Sequence, residues 1–222
     1  MDEGLREAVR AYSQGDWDAC VALLDKVDSS AVDHLELAYI LGLAHVRLKH
    51  WDTALLYIEQ VVTGSDEFLK ICQSRLVLAL IYSMTGRTRL AEYELGRLVA
   101  SGFESVQTCS GLGFALFAQG KVDDAIHWYS RALELEPENP NALNGLGYVL
   151  ASSGRDPVRA LACCRHAVDL VPDNAAYLDS LGWACFKAGR IDEARDHVDK
   201  ALRLAPAENE ILEHAKTLAS ME

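Results

Sequence analysis

Apolar residues recur along the whole chain at the spacing of an amphipathic α-helix. Near the carboxyl end, for example, they stand at Ile211, Leu212, Ala215, Leu218 and Ala219, with charged residues between them. Spacings of three and four place such side chains on one face of a helix, which must be buried against another element. Repeated along the chain, this pattern predicts an all-α protein of about thirteen helices and no β-sheet.

The helices are expected to come in pairs, because a unit of about 34 residues repeats along the chain. Leu-Gly recurs at 41–42, 112–113, 146–147 and 181–182, and proline recurs at 137, 172 and 206. Proline lacks a backbone donor and is predicted to end the second helix of the last three units. Earlier junctions at 28–30, 64–66 and 101–102 carry Ser, Gly and Asp instead, which break helices through capping and turns.

This pattern resembles the tetratricopeptide repeat family, whose unit is a 34-residue helix–turn–helix. In the fourth unit the resemblance rests on Leu112-Gly113, Gly120, Ala125, Tyr129 and Pro137. It implies an all-α solenoid, a right-handed superhelix whose neighbouring units share one core. We predict a single array that covers the whole chain. Its repeats are 1–34, 35–71, 72–105, 106–139, 140–174 and 175–208, followed by a capping helix at 209–222.

The two ends of the array differ in their predicted protection. The segment 209–222 has an apolar stripe and a polar face, which is what a terminal cap needs. The amino-terminal end has no comparable cap. We therefore expect partial exposure of Leu5 and Val9.

Charge and hydropathy exclude some classes of protein. The 222 residues include 33 acidic and 21 basic side chains, for a net charge of −12. Such a balance argues against a nucleic-acid partner, including an RNA-reading helical repeat, because phosphate binding needs clustered Lys and Arg. No run approaches the 18 apolar residues of a membrane span, and the start lacks the layout of a signal peptide. A cytoplasmic location is expected, and a periplasmic one stays open if a leader was removed.

The six cysteines are predicted to be reduced, small residues of a helical core. They are scattered and include no C-x-x-C pair, so zinc and redox chemistry are disfavoured. We expect no intrachain disulfide and a reducing compartment. Cys164 and Cys185 fill slots that Tyr129 and Leu116 hold in the fourth repeat, which predicts that both are buried.

No catalytic, cofactor-binding or metal-binding residue can be assigned, and the chain is not expected to be an enzyme. The glycine pairs at 111–113 and 145–147 lack the third glycine of a dinucleotide motif and lie within predicted helices. The histidines show no i, i+4 pair with a carboxylate nearby. Carboxylate pairs at 123–124 and 192–193 recur at the start of second helices, where they suit the helix dipole.

The resemblance implies that the first helix of each unit forms the concave wall of a groove. Residues at matching positions on those helices are apolar or aromatic, and a contiguous apolar surface on a protein usually marks a binding site. The alternative is that tighter stacking or the tail covers them. The predicted binding residues are Tyr39, Leu43, Leu80, Phe114, Phe117, Asn144, Tyr148, Trp183 and Phe186.

Family members that bind chaperone tails use a clamp of Lys, Arg and Asn for a terminal carboxylate. Here Leu76, Leu80, Ser110 and Phe114 occupy such positions, so the clamp is absent. The first hypothesis is a non-enzymatic scaffold that binds an apolar or amphipathic peptide or partner helix in its groove. The alternative is a homo-oligomer that assembles through the uncapped amino-terminal face. An accessory domain of a longer enzyme is a third idea, and residues 177–183 resemble bacterial repeat units.

Overall fold

The computed structural model describes residues 3–27 and 32–221, and within them the chain forms thirteen α-helices and no strand. The helix number and the all-α class are therefore confirmed. The predicted break at 28–30 lies outside the described residues. The helices are α1 Glu3–Ser13, α2 Trp17–Leu24, α3 His34–Arg47, α4 Trp51–Gly64, α5 Phe68–Met84, α6 Thr88–Ala100, α7 Val106–Phe117, α8 Val122–Leu135, α9 Pro140–Ser152, α10 Pro157–Leu170, α11 Ala175–Lys187, α12 Ile191–Leu204 and α13 Asn209–Ala219.

The chain divides into two compact units. Unit 1 covers Met1–Phe103 and holds α1 to α6, and unit 2 covers Glu104–Glu222 and holds α7 to α13. In each unit, consecutive helices pack as pairs, and the first helix of a pair also contacts the first helix of the next. The six-repeat division of the sequence and the single array stay predictions.

In unit 1, the core begins at the amino-terminal helix. Leu5 is only 1% exposed and packs in one cluster with Cys20, Leu24 and Leu41. The expectation that Leu5 is partly exposed is therefore wrong, because α2 and α3 cover the stripe of α1 that carries it. Val9 lies off that stripe and is exposed, as expected.

In unit 2, the predicted helix stops are found where the prolines stand. The helices α8, α10 and α12 end at Leu135, Leu170 and Leu204, each two residues before a proline. Asparagine side chains then cap the following first helices: Asn139 accepts from the backbone N–H of Ala142, and Asn174 accepts from that of Tyr177. These caps satisfy donors that an α-helix leaves unpaired at its start.

All six cysteines are unpaired and buried. Cys164 and Cys185 are fully enclosed, which confirms their predicted burial. None of the described helices is long and apolar enough to cross a membrane.

Candidate functional site

A cavity of about 730 Å³ opens in unit 2 between α7, α9, α11 and α13. We call it the unit 2 groove. Four of the predicted binding residues line it together: Phe114 and Phe117 from α7, and Asn144 and Tyr148 from α9. Its size lies within the usual range of about 300–1,000 Å³ for ligand sites.

The floor of the unit 2 groove is aromatic. Phe114 is 49% exposed although it is large and apolar. Phe117 is partly buried and meets Tyr148 edge to face, with 5.9 Å between the ring centroids. An aromatic pair held in this geometry gives the groove a rigid apolar surface.

Two glycines make room for the back wall of the groove. Tyr129 of α8 lies buried against the close approach of α7 and α9. A Cβ atom at Gly113 or Gly145 would overlap its ring. The small residues at these two positions therefore let Tyr129 reach from the second helix of one pair to the first helix of the next.

Asn144 presents an unused polar atom in the groove. Its Oδ1 is buried and has no hydrogen-bond partner among residues 3–27 and 32–221. The nearby Asn141, by contrast, accepts a hydrogen bond from the hydroxyl of Tyr177. A buried acceptor without a partner costs free energy, which a donor from a bound ligand would recover.

Tyr148 joins the groove to the carboxyl-terminal helix. Its hydroxyl donates to a carboxylate oxygen of Glu210 on α13. Burial first, and then the hydrogen bond and negative charge of Glu210, raise the pKa of the Tyr148 phenol. This phenol therefore stays protonated and keeps donating near neutral pH.

A buried polar pair fastens α13 to α11. Asp179 and His214 are 4% and 7% exposed, and His214 Nδ1 lies 2.8 Å and 3.0 Å from the two carboxylate oxygens of Asp179. The ring of His214 also stacks on Trp183, with 4.1 Å between centroids. The apolar stripe predicted for the tail is thus corrected: His214 is buried within it, while Ala219 is exposed.

Trp183 and Phe186 lie outside the lining of the unit 2 groove. They contact each other at 5.0 Å between centroids, and the Trp183 indole N–H donates to Ser152 at 3.1 Å. Lys187 Nζ lies 4.7 Å from the Trp183 ring centroid. Since His214 stacks on Trp183, the tail covers part of the Trp183 side chain. Cover by the tail was the alternative stated for the apolar residues of the first helices.

The other three predicted residues belong to unit 1. Tyr39 and Leu43 are partly buried on α3, and Leu80 on α5 is 48% exposed. Burial, followed by the nearby Tyr12, raises the pKa of Tyr39. A separate cavity of about 400 Å³ in unit 1 is lined by Phe68, Cys72, Arg75 and other residues, and it includes none of these three.

The lining of the unit 2 groove is acidic, which the sequence did not indicate, and two of its exposed carboxylates, Asp173 and Glu208, mark the entrance. Among the described residues, the lining includes four carboxylates and no Lys, Arg or His side chain. Asp173 stands two residues before α11, and Glu208 stands directly before α13. No repeated position marks them in the sequence, because Asp173 follows Pro172 directly whereas Glu208 is the second residue after Pro206. The acidic lining residues are Asp173, Asp179, Glu208 and Glu210.

Two segments of the amino-acid sequence match one known protein family. Residues 113–154 match a family described as TPR repeat, and residues 138–207 match one described as tetratricopeptide repeat. Residues 113–207 of this chain are therefore similar to tetratricopeptide repeats. Both matched segments lie in unit 2 and together include the aromatic floor, Asn144 and the Asp179 position.

Similar proteins show the same all-α solenoid fold. A tetratricopeptide repeat protein of Thermus thermophilus is 21% identical, with a TM-score of 0.69 over 84% of this chain and 99% of its own. The protein YrrB, described as having an unusual peptide-binding site, is 17% identical, with a TM-score of 0.57 over 81% of this chain and 91% of its own.

Among curated relatives, a TPR repeat-containing protein of Pseudomonas aeruginosa is 37% identical over 79 residues. That match covers 36% of this chain and 13% of the relative. The chain therefore spans only a small part of the length of the relative it matches.

Proposed function

We propose that this protein is a non-enzymatic scaffold that binds an apolar or amphipathic peptide segment, or a partner helix, in the unit 2 groove. The observation that carries the proposal is the pairing of a half-exposed aromatic side chain, Phe114, with the unpartnered acceptor Asn144 in one cavity. Apolar pockets with a few placed polar groups are the usual form of binding sites.

The two features serve different parts of a ligand. Phe114, Phe117 and Tyr148 offer an apolar floor for a side chain such as Leu, Phe or Trp. Asn144 Oδ1 accepts a hydrogen bond from a backbone or side-chain N–H above that floor. This combination suits a peptide, which carries apolar side chains and backbone donors at regular intervals. The peptide-binding site described for YrrB, which shares the fold, supports the same class of function.

The proposal extends to the remaining predicted residues. Trp183 and Phe186 provide a second aromatic surface in unit 2, and Tyr39, Leu43 and Leu80 provide the corresponding positions of unit 1. We place the main anchor at Phe114 because it is the most exposed of the aromatic residues in this set. Aromatic anchors in concave sites commonly contribute about 2 kcal/mol or more of affinity.

A peptide-display selection tests this proposal. Random twelve-residue peptides are selected on the full chain, and their affinities are measured for the wild type, Phe114→Glu and Val158→Glu. Phe114→Glu should weaken binding at least about 30-fold, which corresponds to about 2 kcal/mol. Val158 is 78% exposed on α10, outside the groove lining, so Val158→Glu should leave affinity unchanged.

Circular dichroism completes the test. Phe114→Glu should retain the helicity of the wild type, since half of this side chain is exposed. If the variant unfolds, Phe114 is a core residue and the groove assignment is wrong. If it folds and binds the selected peptides with wild-type affinity, the peptides contact another surface.

Self-assembly through the amino-terminal face is supported less well. That hypothesis rested on exposed Leu5 and Val9, and Leu5 is buried. Light scattering as a function of protein concentration separates the two hypotheses, because a peptide-binding scaffold of this kind keeps a constant mass.

We propose a reducing compartment, with the cytoplasm as the expected one. All six thiols are free and buried. Burial, with a contribution from the nearby Glu104 carboxylate, raises the pKa of Cys109 to about 11. The thiol therefore stays protonated and unreactive at neutral pH.

A further inference from the structure

The charges around the unit 2 groove favour one class of peptide. Of the four carboxylates that line it, Asp179 is paired with His214, and Glu210 accepts from Tyr148. Asp173 and Glu208 are exposed, and no side-chain hydrogen bond or ion pair within residues 3–27 and 32–221 engages either carboxylate. Two negative charges at the entrance are therefore available to a ligand.

These carboxylates stand beside apolar surface rather than beside cations. The groove lining contains Phe114, Phe117 and Tyr148 but no basic residue. Unit 2 as a whole carries 18 acidic and 11 basic side chains, a net charge of −7. An acidic peptide would meet repulsion at this entrance, whereas a cation beside an apolar anchor would meet attraction.

Aromatic rings add to the preference for a cation. The face of an aromatic ring attracts Lys and Arg side chains. Unit 2 already contains one such contact, since Lys187 lies over Trp183 at 4.7 Å. Phe114 and Tyr148 provide aromatic rings in the lining of the groove.

We propose that the unit 2 groove selects a peptide segment in which a large apolar side chain is flanked by Lys or Arg. The apolar side chain packs on Phe114 and Phe117, and the cation pairs with Asp173 and Glu208 at the entrance. This inference rests on the proposed function, because it names the chemistry of the peptide that the groove holds.

The selected peptides themselves give the first test. Peptides whose binding depends on Phe114 should be enriched in Lys or Arg within about four residues of Leu, Phe or Trp, the spacing of one helical turn. If Phe114-dependent peptides are neutral or acidic, this inference is wrong while the proposed function stands. If no selected peptide depends on Phe114, the proposed function itself fails.

A charge-neutralising pair of substitutions gives the second test. The double variant Asp173→Asn, Glu208→Gln should bind the basic peptides about tenfold more weakly, since exposed ion pairs contribute up to about 1 kcal/mol each. Asp196→Asn with Asp199→Asn removes the same charge from exposed positions of α12, outside the groove lining, and should change affinity far less. Equal effects of the two double variants would show that the preference comes from overall charge, and would overturn the assignment to the entrance.

Discussion

Units 1 and 2 each contain three helix pairs, to which unit 2 adds α13, yet they fulfil the repeat pattern to different degrees. The matches to the family fall at 113–154 and 138–207, both within unit 2. Unit 1 nevertheless forms its six helices and a buried core that includes Leu5, Leu24 and Leu41. Unit 1 therefore forms paired helices with less of the repeat pattern than unit 2 retains.

The two units can be compared at the turn between the helices of each pair. The turn between the helices of a pair holds a glycine with positive φ at Gly120, Gly154 and Gly189 in unit 2. In unit 1 the corresponding turns hold Gly15, Lys49 and Gly86, and Lys49 adopts a φ of 60°. The first left-handed residue of the turn is thus a lysine in one turn of unit 1 and a glycine in each turn of unit 2, where Asp156 also has a positive φ of 39°.

The helix crossing at Gly147 in unit 2 differs from the helix crossing at Gly42 in unit 1. A Cβ atom at Gly147 would lie 3.0 Å from the backbone oxygen of Ala160 and from the backbone nitrogen of Cys164. At Gly42 in unit 1 the three nearest atoms are side-chain atoms, two of Ile58 and one of Tyr57. Backbone cannot move aside as readily as a side chain can, so the two glycines are not equivalent.

The largest expected effect concerns the pair that holds α13 in unit 2. His214→Ala leaves the Asp179 carboxylate buried without its partner and removes the stack on Trp183. Breaking a buried pair from one side should lower the free energy of unfolding of this region by about 3 kcal/mol. Urea unfolding, with hydrogen exchange on α11 and α13, measures the loss.

A control on the same helix separates this effect from a general loss of α13. Glu213 pairs with Lys216 on the exposed face, and Glu213→Ala should cost less than about 0.5 kcal/mol. If the two variants lose the same stability, the Asp179–His214 pair does not anchor the helix.

The next effect compares the helix crossings of the two units. Gly147→Ala should destabilise unit 2 by about 2 kcal/mol, because overpacking against backbone outweighs the gain in helix propensity. Gly42→Ala should cost unit 1 about 1 kcal/mol or less, since Ile58 can adjust. Hydrogen exchange resolved by helix gives both values in the full chain.

Gly96→Ala on α6 provides the reference for propensity without crowding. Apart from adjoining atoms of its own helix, no atom of the described residues lies within 4 Å of a Cβ placed there, so this change should stabilise by up to about 1 kcal/mol. If Gly147→Ala and Gly42→Ala lower the free energy of unfolding by the same amount, the helix crossings at these two glycines are alike.

The sequence predicted those parts of the molecule that depend on local pattern. Helix number, the ends of α8, α10 and α12 before proline, and the burial of Cys164 and Cys185 follow from spacing within one repeat. Phe114, Phe117, Asn144 and Tyr148 share one groove because equivalent positions of neighbouring first helices face the same side.

The parts that were missed depend on contacts between distant residues. In the sequence, His214 is a polar residue between the apolar positions of the tail. Its burial depends on Asp179, which lies 35 residues earlier. The cover that α13 gives to Trp183 likewise depends on where the tail packs. The acidic entrance forms only when the starts of α11 and α13 meet at one cavity. No periodicity within a single repeat specifies these contacts.

The smallest expected effect, of opposite sign, concerns the turn of the second helix pair. Lys49 is exposed and left-handed, while its backbone N–H and that of His50 close the turn onto Val46 and His45. A left-handed conformation costs a residue with a Cβ about 1–2 kcal/mol, part of which the flexibility of unfolded glycine offsets. Lys49→Gly should therefore stabilise unit 1 by about 0.5–1 kcal/mol, measured by thermal unfolding and by hydrogen exchange on α3 and α4. Lys49→Ala, which removes the charge but retains the Cβ, should give no gain. If Lys49→Ala stabilises unit 1 as much as Lys49→Gly does, the charge of Lys49 rather than its backbone conformation distinguishes this turn from the turns at Gly120 and Gly189.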